Sequence, residues 1–291
     1  MPDYIYTSDD VTQVKIAVWD DKQDCWNHSF IGGDLQFKKS TRQVKFTSMK
    51  FAPIALLQSR CTDYPYQKWW LRCVGEETAL LDLWTKRLHL VFEIGPLYLK
   101  LVRCEEPELQ HLADKEYTPG YLLQELSKCG IHLMPRDEDA KLAGIEPKDR
   151  GAEERAIIDV ALGVRAFHLR CCKWNQGVSP DNPGVGPDNI VMQIRENLEH
   201  DEAFEEDHEP DWSYVMWWNN KVSFVEGCKQ TQEDNCKAEI MQGKETHATL
   251  TQACAGVCSP QAVATAGEVT YIEFTDTVKK TLRLLRLFAF S

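Results

Sequence analysis

Leu88-His89-Leu90-Val91-Phe92-Glu93-Ile94-Gly95-Pro96-Leu97-Tyr98-Leu99-Lys100-Leu101-Val102 places apolar residues at every second position on both sides of a Gly-Pro step. A period of two belongs to strands that bury one face, and Gly-Pro reads as the turn between two of them. The same alternation extends towards the N-terminus. It recurs in Leu80 to Trp84, Trp70 to Cys73 and Phe51 to Leu57, in Val44 and Phe46 behind the polar turn Lys39-Ser40-Thr41-Arg42, in Leu35 and Phe37 behind Gly32-Gly33, and in Val14, Ile16 and Val18. About eight short strands with no helix between them predict an antiparallel β-sandwich or barrel.

Helical spacing enters only after this run. Thr118 can cap, Pro119 suits a first turn, Leu122, Leu123 and Leu126 form a stripe, and Gly130 supplies a stop. Ala152 to Val164 reads as a second helix, and Ala166 to Trp174 as a strand returning to the sheet. The turn-rich stretch Ser179 to Asn189 offers almost nothing to bury. Beyond it, Ile190 to Ile194 reads as a strand, Ser213 to Trp218 and Lys221 to Glu226 as a hairpin around Asn219-Asn220, and Glu268 to Phe274 as a further strand. Val278, Leu282, Leu285 and Phe288 close the chain at helical spacing. The expected fold is therefore α+β and mainly β: a β-sandwich domain with a helical insertion over 1–177, a linker over 178–189, and a smaller acidic β-rich domain over 190–291 that ends in a basic amphipathic helix.

The 291 residues carry 43% hydrophobic and 27% charged side chains, which is the composition of a folding globular chain. The net charge of −12 speaks against nucleic acid as a partner, since phosphate backbones call for clustered Lys and Arg. That charge is unevenly placed: residues 1–177 hold 24 basic and 26 acidic side chains, and residues 178–291 hold 9 and 19. Glu199 to Asp211 is especially acidic, but it lacks the ordered ligand spacing of a calcium loop. The segment from Phe274 onward reverses the sign, with Lys279, Lys280, Arg283 and Arg286 against Asp276. Its most apolar stretch, Leu282 to Phe290, is cut by Arg283 and Arg286, so no membrane span is expected. With Asp9 and Asp10 close behind a Met-Pro-Asp-Tyr opening, no secretory leader is expected either.

Catalytic motifs are absent from the sequence: there is no Gly-x-Gly-x-x-Gly after a strand, no phosphate loop and no Gly-x-Ser-x-Gly elbow. Eleven scattered cysteines read as reduced, buried, small hydrophobes. Cys228, Cys236, Cys254 and Cys258 form the one candidate zinc set, but their Cys-x7-Cys and Cys-x3-Cys spacings are looser than those of a zinc ribbon. A cysteine- or zinc-dependent enzyme, a zinc-stabilised binding module and a cytosolic scaffold stay open as alternatives. No catalytic residue, cofactor or metal ligand is assigned. The aromatic runs Tyr64 to Trp70 and Trp212 to Trp218 suit either a core or an interface. Tyr64, Tyr66 and Trp69, together with Lys279, Lys280, Arg283 and Arg286, are the candidate partner-binding residues.

Two stretches go further. Val44-Lys45-Phe46-Thr47-Ser48-Met49-Lys50-Phe51-Ala52-Pro53-Ile54-Ala55-Leu56-Leu57-Gln58, followed by Asp63-Tyr64-Pro65-Tyr66-Gln67-Lys68-Trp69-Trp70-Leu71-Arg72, resembles the C-terminal domain of the cancer susceptibility candidate 1 family of axonemal dynein intermediate chains. The ending from Thr277 to Ser291 is similar to that family's closing segment. The resemblance implies a non-enzymatic subunit of a ciliary inner-arm dynein, located in the cilium axoneme, the cytoplasm and the cytoskeleton. Its implied partners are other axonemal dynein subunits and tubulin, with no nucleic acid and no membrane.

Overall fold

In the computed structural model, residues 2–7, 14–175, 186–197, 212–225, 246–268 and 271–291 are described. The chain begins with five strands: β1 (Val14–Asp20), β2 (Cys25–Asn27), β3 (Ile31–Lys38), β4 (Gln43–Ser48) and β5 (Ile54–Gln58). They make two small antiparallel sheets, β2-β1-β5 and the hairpin β3-β4. The next four strands are β6 (Lys68–Gly75), β7 (Thr78–Trp84), β8 (His89–Gly95) and β9 (Tyr98–Cys104), joined as successive hairpins. In the turn between β8 and β9, a Cβ on Gly95 would lie 2.3 Å from the Tyr98 ring, so a larger residue there would require that ring to move.

β10 (Glu116–Tyr117) pairs with β9, and then come α1 (Pro119–Lys128), α2 (Asp137–Ala143) and α3 (Arg150–Gly163). Thr118 and Pro119 open α1 as their chemistry predicts, although the Thr118 hydroxyl makes no capping bond. Asp149 does cap α3, accepting from the Ala152 N–H at 2.8 Å. β11 (Phe167–Cys171) returns beside β6, followed by β12 (Ile190–Glu196), β13 (Ser213–Trp218) and β14 (Lys221–Val225). Asn219 and Asn220 both take positive φ, as a tight two-residue hairpin turn requires. The chain finishes with α4 (Leu250–Cys254), α5 (Pro260–Gly267) and α6 (Ile272–Leu285).

These strands form one antiparallel nine-stranded sheet, in the order β10-β9-β8-β7-β6-β11-β12-β13-β14. Its core face carries Trp69, Leu71, Leu81, Phe92, Leu169 and Met192, all buried, and α1, α3 and α6 lie across it. The fold is α+β and mostly β, but helices rather than a second sheet cover the core face. Period-two alternation tells which face is buried without telling what buries it, and the cover comes from helices distant in sequence.

The 178–189 stretch, of which 186–189 are described, joins β11 to β12, and these two strands pair with each other. The main core draws side chains from both sides of it, including Leu83 and Leu122 before and Ile194, Val215 and Phe274 after. Of the strand expected over Glu268 to Phe274, residues 269 and 270 lie outside the described residues, and Ile272 to Phe274 instead open α6. Ile272 and Phe274 fit a period of two, but Phe274, Val278 and Leu282 continue at intervals of four and all three are buried. Helices α2, α4 and α5, none longer than eight residues, have too few turns to show a stripe.

Candidate functional site

Both stretches that carry the family resemblance meet in space. Tyr64 and Tyr66 lead into β6, Trp69 stands at its start, and the chain beyond α6 folds down onto them. The Tyr66 N–H donates to the Phe290 carbonyl at 2.7 Å, and its hydroxyl donates to the Leu285 carbonyl at 3.0 Å. Trp69 donates from Nε1 to Ser291 Oγ at 2.9 Å, and its ring lies 5.6 Å from that of Phe288. Tyr64 packs against Phe290 at 5.2 Å and edge-on to Tyr66 at 5.4 Å. From the other side, Asn175 Nδ2 donates to the carbonyls of Phe288 and Ser291. Residues 287–291 are buried throughout, which leaves their backbone groups no water and makes these bonds necessary.

Charge secures both ends of this clasp. Below it, Asp63 is held by both arms of Arg87, at 2.9 and 2.7 Å, and accepts from the Thr85 hydroxyl at 3.2 Å. Above it, Arg286 takes the left-handed conformation that ends α6, and its guanidinium donates twice to Glu153 Oε2, at 3.0 and 2.9 Å, and once to Asp137. Arg286 and Glu153 are both buried, so each is costly without the other. Burial pushes the Glu153 carboxyl above its ordinary value, with Arg286 pulling the other way. Burial pushes Asp137 up as well, but Arg150 and Arg286 together outweigh it and hold that carboxyl below its ordinary value.

Six of the seven residues expected to meet a partner are thus engaged within the chain. Tyr64, Tyr66, Trp69 and Arg286 are interior, because the aromatic run and the closing segment bury each other. At the surface, Arg283 pairs with Glu154 of α3 and Lys279 with Asp276 at 2.6 Å. Lys280 is exposed and makes no ion pair among the described residues. Sequence reasoning missed Glu153, Asp137 and Asn175 as clasp residues. Asp137 and Glu153 sit in the first turns of α2 and α3, where acids also serve the helix dipole, so nothing marks them as partners of Arg286.

Most of the described thiols are poorly placed for nucleophilic chemistry. Burial pushes the thiols of Cys61, Cys73, Cys104, Cys129, Cys171 and Cys172 upward, Cys129 to about 11 and Cys172 to about 12, which keeps them protonated. The Cys254 thiol is raised first by its hydrogen bond with Cys258 and then by burial. Cys228 and Cys236 lie outside the described residues. Among the described residues, no three His, Cys, Asp or Glu side chains stand together as a metal site, and no helix is long and apolar enough to cross a membrane. A pocket of about 320 Å³ opens beside Phe167, Ile194 and Cys258. Its carboxylate, Glu196, is occupied in accepting from the Ser259 N–H and hydroxyl at 2.8 and 2.7 Å, where Ser259 caps α5.

What these residues define is a self-clasped α+β module held by buried aromatic and ionic contacts. No family model matches the chain. It is 25% identical over 280 residues to dynein axonemal intermediate chain 7 of Bos taurus, covering 95% of this chain and 37% of the relative. The proteins of that name from Danio rerio and Homo sapiens are 23% and 24% identical, again over 95% of this chain and over 36% and 37% of their own length. The chain is a distant homologue of the dynein axonemal intermediate chain 7 family, and it spans little more than a third of the length of these relatives.

Proposed function

We propose that the chain is a non-catalytic assembly module of an axonemal inner-arm dynein complex, working in the cilium through protein–protein contacts. One observation carries this reading: the homology to dynein axonemal intermediate chains runs over 95% of the chain, and its two most recognisable stretches build the same buried clasp. The protonated, buried thiols favour this reading over a thiol enzyme.

Other axonemal dynein subunits are the proposed partners, with tubulin as a further one. The solvent-facing side of α6, with Lys279, Lys280 and Arg283, is the proposed contact for an acidic surface. Isolating cilia and extracting the axonemes with salt tests the assignment. The protein should stay with the axoneme at low salt and leave with the inner-arm motor; recovery only in the soluble cytoplasm would refute it. Replacing Lys279 and Lys280 with Glu should release it at lower salt while leaving its unfolding midpoint in place.

A further inference from the structure

The three-stranded sheet β2-β1-β5 ends on β5, and no described strand pairs with the outer side of β5. The register shows which backbone groups face that side. The Trp19 N–H donates to the Pro53 carbonyl at 2.9 Å, so these two form a hydrogen-bonded pair. Alternation along an antiparallel ladder then makes Ala17 with Ala55, and Lys15 with Leu57, the next bonded pairs. The N–H and C=O groups of Ile54 and Leu56 therefore point away from β1. Consistently, the carbonyl of Ile16, which sits opposite Leu56, also turns outward and meets His28 Nδ1 at 2.8 Å on the far side of β1.

Among the described residues of the large sheet, β10 is only two residues long, and β14 meets His247, which exchanges bonds of 2.7 and 2.9 Å with Val222. At the β5 edge the side chains are apolar and open: Ile54 is 49% exposed, Leu56 42%, Met49 70%, and Phe51 fully. Edge strands are ordinarily blunted because such a row recruits another strand. Residues 36–58 also hold Lys38, Lys39, Arg42, Lys45 and Lys50 with no Asp or Glu, inside a chain of net charge −12. Arg42 is spent on Glu108 and Lys50 on Asp20, while Lys38 and Lys45 are exposed and make no ion pair among the described residues.

We propose that β5 is a strand-addition site for an extended acidic segment of another protein. That segment pairs with the outward backbone groups of Ile54 and Leu56, lays alternate apolar side chains on them, and brings carboxylates to Lys38 and Lys45 on the hairpin that precedes β5 in the chain. A second copy of this chain is the poorer occupant, since it would bring two positive stretches together. The proposal rests on the edge geometry and local charge, and it holds whether or not the chain works in the cilium.

The test uses the full chain and a labelled peptide alternating Glu and Val, with two control peptides: one alternating Lys and Val, the other the Glu-Val peptide N-methylated at every second residue. The Glu-Val peptide should bind, slow the exchange of the Ile54 and Leu56 amides, and weaken as salt rises. Both controls should bind at least about tenfold more weakly. Leu56→Pro should abolish binding, since the Leu56 N–H is not used by β1 and the replacement takes no bond from the fold. The N-methylated peptide tests the same point without altering the protein. Equal binding of the Lys and Glu peptides, protection elsewhere than β5, or pairing of the chain with itself through β5 would overturn the proposal.

Discussion

The segment from 14 to 58 and the clasped body are built from similar residues to opposite ends. In the small sheets, only Ile16, Ala17 and Val18 are buried among the apolar side chains described, and none of them joins the main core. In the body, Tyr64, Tyr66, Trp69 and the whole of 287–291 are interior, and even an arginine is enclosed with its glutamate. Trp26, Met49, Phe51, Ile54 and Leu56 face solvent at the first, whereas the second has used its largest aromatics on itself. The difference separates two duties: the body supplies the stability, and the N-terminal sheets supply the accessible apolar surface.

Mutations in the two regions should therefore differ in scale. Arg286→Ala strands Glu153 in the interior and should cost about 3–5 kcal/mol in urea unfolding, and Trp69→Ala a similar amount through its lost packing. A cost below about 1 kcal/mol at either would break the comparison. Ile16→Ala should act locally: amide protection across the β1–β5 ladder should fall while the body's midpoint stays in place. A matching drop in that midpoint would mean that the two regions unfold as one. Phe51→Ser and Lys280→Glu, both at the surface, should each change stability by less than about 0.5 kcal/mol.

The smallest expected effect is on pH dependence. His132 lies at the junction of the two regions, where Arg60 approaches Nε2 at 2.9 Å and the Ser127 hydroxyl lies 3.4 Å from Nδ1. Burial first, and then the Arg60 charge, depress its pKa, against smaller opposing pulls from Asp139 and Asp63. Below the ordinary value near 6.5, the unfolded chain takes up a proton that the folded chain resists, so stability falls with acidification across that window. His132→Gln should flatten that slope in unfolding curves taken between pH 5 and about 7.

Much of this architecture is written in short-range pattern. The strands β6 to β9, the hairpin at Asn219-Asn220, and helices α1, α3 and α6 all announce themselves through period and turn chemistry. What covers the sheet does not, because a strand's alternation carries no trace of helices placed after it. Arg286 shows the limit most clearly. Its charge suggests a solvent-facing side chain, yet it sits four residues after Leu282 in the line of Phe274 and Val278, which a strict reading of helical spacing would have placed inward. Its partner Glu153 is distant in sequence, so only the fold shows that the charge is answered. Phe51 errs in the other direction: it is apolar and next to a strand, and the packing leaves it fully exposed.

The order of the elements has a consequence for synthesis. Every strand of the nine-stranded sheet precedes α6 in the chain, as do Tyr64, Tyr66 and Trp69, on which the segment after α6 settles. As the polypeptide emerges from the ribosome, the sheet's apolar face is complete, with α1 and α3 already available to it, before the part of its cover that α6 supplies exists. The nascent protein therefore passes through an open stage that attracts chaperones, and a truncation anywhere before α6 leaves it there.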